Sequence, residues 1–80
     1  LMGNSSLIIT NNTQTRYDID IDRLGYRYLR PNDTIEFHNI WNSDYQVKLI
    51  KPETETTAYS DTTFTIVVPC NDTVLYLLEE

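Results

Sequence analysis

The sequence predicts a small all-β domain, an antiparallel sandwich of immunoglobulin-like or Greek-key type with about six or seven short strands; a small open barrel is the alternative. Three observations carry this. Apolar and polar residues alternate with a period of two in several separate runs. Thr, Tyr, Ile and Val are plentiful while Ala58 is the only alanine, which favours strands over helices. Asn- and Asp-rich turn formers separate the runs at the intervals expected between short strands.

Taken in order, Leu7-Ile8-Ile9-Thr10 reads as a short first strand. Arg16 to Asp22 is the clearest alternating run, with Tyr17, Ile19 and Ile21 on one face and Asp18, Asp20 and Asp22 on the other. Tyr26 to Leu29 follows a turn at Leu24-Gly25, placing Tyr26 and Tyr28 on one face and Arg27 on the opposite one. Ile35 and Phe37 share the next face. There the phase slips, because Asn39 is polar where an apolar residue is due and Ile40-Trp41 follow, so a bulge or a strand end is expected. Asn42-Ser43 is placed to tie a hairpin between Trp41 and Tyr45. Tyr45, Val47 and Leu49 form one inner face and Phe64, Ile66 and Val68 another, separated by a polar, threonine-rich loop from Pro52 to Asp61. The last run, Thr73 to Leu78, is apolar on both faces and calls for cover on both. Short connections make the pairing mostly antiparallel. Asn32-Asp33-Thr34 and Asn71-Asp72-Thr73 read as one turn solution used twice.

Eighty residues make one domain, read as a flexible start over 1–6 and a single all-β unit over 7–80. A core of this size supports modest stability, which association would raise. Six basic against twelve acidic residues give a formal charge of −6 and a pI near 4.5. That balance argues against a nucleic-acid backbone as ligand and suits a basic protein partner or a cation. A lone cysteine, Cys70, rules out an internal disulfide or a thiolate metal site. Neither a membrane-length apolar run nor a signal-peptide pattern is present, so no membrane is expected; the compartment is undetermined, and because small secreted domains usually carry bridges an intracellular or virion-associated setting is favoured over a secreted one. Leu7 also breaks the myristoylation pattern.

The row of Asp18, Asp20 and Asp22 spaces its carboxylates by about 6.7 Å along a strand. As a calcium loop it fails, because Arg23 stands where the loop's glycine belongs and Leu29 where its bidentate Glu belongs. A solvated face with cross-strand Lys or Arg partners is the plain reading, and a surface for a basic partner the functional one. His38 is the only histidine, so no triad or multi-histidine metal site assembles around it, and no catalytic or metal-binding residue, nor any cofactor, is expected. Tyr26, Arg27, Tyr28 and Arg30, together with Trp41, carry the side-chain types that anchor interfaces and are the remaining contact candidates. Asn4, Asn11, Asn32 and Asn71 head glycosylation sequons that Asx-Thr turns also generate.

Leu29-Arg30-Pro31-Asn32-Asp33-Thr34-Ile35-Glu36-Phe37-His38-Asn39 resembles a cupredoxin-type strand entry, in which a proline-led turn and Asp-Thr precede an alternating strand. The resemblance covers a small part of the chain and implies only a sandwich fold. Copper binding does not follow, because that site needs two histidines with a cysteine.

The functional expectation is therefore a non-catalytic structural or protein-binding module that meets a protein partner or a second copy of itself. An accessory piece of a large assembly, such as a phage or viral decoration or tail component, fits this description. Two alternatives remain: an acidic inhibitor whose aspartate row imitates a phosphate track and blocks a basic groove, and a β domain that binds a cation or small ligand.

Overall fold

A computed structural model describes residues 3–80 and contains seven strands in two sheets that pack as a small sandwich. The strands are β1 (Ser5–Asn11), β2 (Tyr17–Ile21), β3 (Gly25–Leu29), β4 (Thr34–Ile40), β5 (Ser43–Lys51), β6 (Ser60–Val68) and β7 (Thr73–Leu78). One sheet has the order β4-β1-β7 and the other β3-β2-β5-β6. A strand takes up part of the start expected to be flexible, 1–6. Its first two residues lie outside the described ones, but Ser5 and Ser6 already pair in β1, and Ser5 Oγ donates to the Pro69 carbonyl at 2.6 Å.

Alternation explains which side of each strand is buried. Leu7 and Ile9 of β1, Ile19 and Ile21 of β2, Tyr45 and Val47 of β5, and Ile66 and Val68 of β6 meet between the sheets, joined by Leu29, Phe37, Ile40 and Leu78. Each fully buried aliphatic side chain of this kind contributes about 1.5–3 kcal/mol. Phe64 of β6 stacks on Tyr76 of β7 at 5.3 Å between centroids and closes the core along one side.

The slip foreseen after Phe37 is a β-bulge. Leu7 pairs with Phe37 and Ser5 with Ile40, so His38 and Asn39 together stand opposite Ser6. Asn39 absorbs the extra residue with a φ of 57°, a left-handed conformation that Asn tolerates better than most residues. Gly3 packs against the backbone at Ile40 and Trp41, where a Cβ has no room. The repeated Asn-Asp-Thr turn also holds: Asn32 and Asn71 both have positive φ, 66° and 54°, and a strand starts at the threonine each time.

One expectation is corrected. Asn42-Ser43 does not close a hairpin, because β4 and β5 lie in different sheets and the segment between them crosses from one layer to the other. Tyr45 anchors that crossing by donating its hydroxyl to the Trp41 carbonyl at 2.6 Å. The pairing is mostly antiparallel, as expected: among the described residues four of the five strand pairs oppose, and only β1 and β7 run parallel, in unbroken register from Ser6 with Thr73 to Asn11 with Leu78. First and last strands share no direct connection, so no short turn forces them to oppose.

Asn11 closes the end of β1. It is fully buried and uses its whole amide: Nδ2 donates to the carbonyls of Thr15 at 2.9 Å and Leu29 at 3.0 Å, while Oδ1 accepts from the Thr13 amide and hydroxyl. The chain between β1 and β2 is thereby pinned to the end of β3.

Candidate protein-binding face

The outer face of the four-stranded sheet gathers four of the eight contact candidates. Strand register sets Asp18 opposite Tyr28 and Asp20 opposite Tyr26, with Lys48 of β5 on the other side of Asp20. Tyr26 and Tyr28 are 50% and 64% exposed, large amounts for rings on an ordered strand. They meet edge to face with centroids 5.9 Å apart.

Asp18 departs from the solvated row that the sequence suggests. It is only 6% exposed, because Tyr26, its diagonal neighbour across the strand pair, lies over it and donates its hydroxyl to Oδ2 at 2.6 Å. Arg16 Nη2 reaches the other oxygen at 3.1 Å, and the same guanidinium sits 5.1 Å from the Tyr28 ring centroid. Asp18, Arg16 and the two tyrosines therefore form one connected unit. The hydrogen bond to Asp18, burial and the negative charge of Asp18 push the Tyr26 phenol up from 10.0 to about 12, so it is a neutral, fixed donor at neutral pH.

Asp20 and Asp22 keep their carboxylates in solvent, Asp22 with Arg23 Nε at 3.4 Å. They border an open depression of about 790 Å³ beside the tyrosines, which Arg23, Gln46, Lys48 and Thr63 also line. Gly25, at a φ of 106°, contributes to this floor because nothing stands where its side chain would be. Lys48 does not pair with Asp20; its nearest acid is Asp61 at 3.9 Å.

The other candidates lie elsewhere. Arg27 points to the opposite face, as alternation requires, and covers the Phe37 ring at 5.0 Å, which makes it packing for the sheet edge. Arg30 follows β3 and gives its amide to Asp33 Oδ2 in a turn. Trp41 is half exposed but sits before the start of β5, and Ser43 at that start is already seven residues, roughly 23 Å, along the strand from the Tyr28 level at Ile50. Among the described residues no three His, Cys, Asp or Glu side chains converge as metal ligands. Cys70 is free and exposed. Of the sequon asparagines, Asn11 is sealed in its network while Asn4, Asn32 and Asn71 are exposed.

Among the described residues the outer face of β7 lacks the cover that its sequence calls for, with Leu75 74% and Leu77 49% exposed. The doubly apolar reading of Thr73 to Leu78 was their signal.

No family model, no curated protein and no solved structure matches this chain.

Proposed function

We propose that this domain is a non-catalytic protein-binding module, an accessory component of a larger assembly, and that it docks a basic segment of a protein partner on the outer face of the four-stranded sheet. The observation that carries the reading is the pair of half-exposed tyrosines held in place by a buried carboxylate and an arginine. Fixing an aromatic ring before binding removes much of the ordering cost of using it as an anchor. The two solvated carboxylates, Asp20 and Asp22, border the depression next to that platform and suit a Lys or Arg of the partner, in a chain whose net charge is −6. A phosphate-mimicking track of three aspartates has less support, since Asp18 already spends both oxygens inside the domain.

The test is affinity capture with the whole chain as bait, repeated with Tyr28→Ala and Asp20→Asn. A specific partner is expected to bind the native chain and to lose about 2 kcal/mol, roughly 30-fold in affinity, with Tyr28→Ala. Asp20→Asn should weaken the salt dependence of the association. A partner held equally well by the Tyr28→Ala chain, or bound more tightly as salt rises, overturns the proposal.

A further inference from the structure

We infer that β7 is a self-association edge, at which a second copy of the chain adds its own β7 antiparallel about a two-fold axis and extends the three-stranded sheet. Among the described residues each sheet of this sandwich ends in open strands, and an open strand offers unpaired backbone groups to any passing chain. Three of the four edges carry a device against this. β3 turns Arg27 inward over Phe37 at its rim. β4 is broken by the bulge at His38-Asn39 and carries Glu36. β6 starts polar and holds exposed Asp61. β7 has no charge, no proline and no bulge along its six residues.

The occupant follows from what the edge requires. A strand added beside β7 must be apolar on both faces, one continuing the core past Val74 and Tyr76 and the other covering Leu75 and Leu77. Of the four edge strands only β7 itself has that pattern, so the edge is self-complementary, as a two-fold interface demands. Pairing centred on Tyr76 sets Leu75 of each copy against Leu77 of the other on the outer face and Val74 against Leu78 on the inner one.

The area sets the strength. Six residues make an edge roughly 20 Å long at ~3.3 Å each, on a sandwich whose shorter extents are 20 and 17 Å. A strip of that size covers roughly 400 Å² per copy, which belongs with weak, concentration-dependent pairs rather than permanent dimers. Charge sets the salt dependence. In this register Asp72 faces Glu80 of the second copy at both ends, and each copy carries −6, so screening strengthens the pair. This is opposite in sign to a basic partner on the tyrosine face, so the two interactions are separable.

Sedimentation of the purified chain from about 10 μM to about 1 mM, in low and high salt, tests the inference. The mass is expected to rise from the 9.4 kDa of one chain toward twice that value, more readily in high salt. Leu75→Lys and, separately, Leu77→Lys place a charge on exposed positions that the fold does not use, and each should raise the dissociation constant about tenfold or more. Tyr28→Ala should leave it unchanged. A native chain that stays monomeric throughout, a dimer indifferent to both lysines, or a dimer lost with Tyr28→Ala overturns it.

Discussion

Asp18 shows how one buried carboxylate reorganises a surface. Its two oxygens are shared between Tyr26 and Arg16, so a charge that would cost several kcal/mol if buried alone is paired and bonded instead. The consequence is measurable at high pH. The Tyr26 phenol has a folded value of about 12 against 10.0 ordinarily. Below pH 10 both folded and unfolded chains hold the proton and the contribution to stability is complete; as pH rises from 10 to 12 the unfolded chain loses the proton first and stability falls. Tyrosinate absorbance should therefore show a late-titrating tyrosine in the native protein, and Asp18→Asn, which removes the charge facing the hydroxyl, should bring that midpoint back toward 10. Equal titration in both proteins would remove the Tyr26–Asp18 hydrogen bond as the cause.

At the scale of single strands, the bulge in β4 gives the sharpest test. Asn39 occupies left-handed backbone within a strand, and a β-branched residue there meets the full steric cost. Asn39→Val is expected to lower unfolding free energy by about 1–2 kcal/mol in urea, whereas Asn39→Gly should be near neutral. The bulge was legible because Asn39 breaks a period of two. The bounds Thr73–Leu78 and the inner faces of β2, β5 and β6 were legible for the same reason. What periodicity does not reveal is anything that depends on register between strands. Ser60 to Thr63 extends β6 without alternating apolar residues, since its partners on β5 are polar or partly exposed at that end. Asn42-Ser43 has hairpin chemistry, but sheet membership is decided by where Tyr45 and Ile40 bury their side chains. Asp18 reads like Asp20 and Asp22 until β3 brings Tyr26 diagonally across it. Of the eight contact candidates, the four on the tyrosine face are united only by that register, and Asp22 joins them at the adjoining depression; Arg27, Arg30 and Trp41 serve other surroundings.

Across the whole molecule, the two surfaces with interaction chemistry are on different sheets: the tyrosine platform outside β2 and β3, and the apolar rim of β7. On the two proposals above, salt weakens the first contact and strengthens the second, so a module using both would hold a basic partner and a second copy together. The parallel pairing of β1 with β7 adds a mechanical property. Because these strands run the same way, the start of β1 and the end of β7 lie at opposite ends of their shared ladder. Tension applied between those points pulls the strands lengthwise past each other, so their hydrogen bonds bear the load together and must fail together. Gripping the chain instead at the start of β1 and at exposed Cys70, which lies beside it in the turn before β7, opens the same bonds one after another. Single-molecule pulling in the two geometries should give a clearly higher rupture force for the first, and equal forces would show that the ladder does not carry the load. The domain is thus built to transmit stretch along its strands while yielding readily to peeling at one corner.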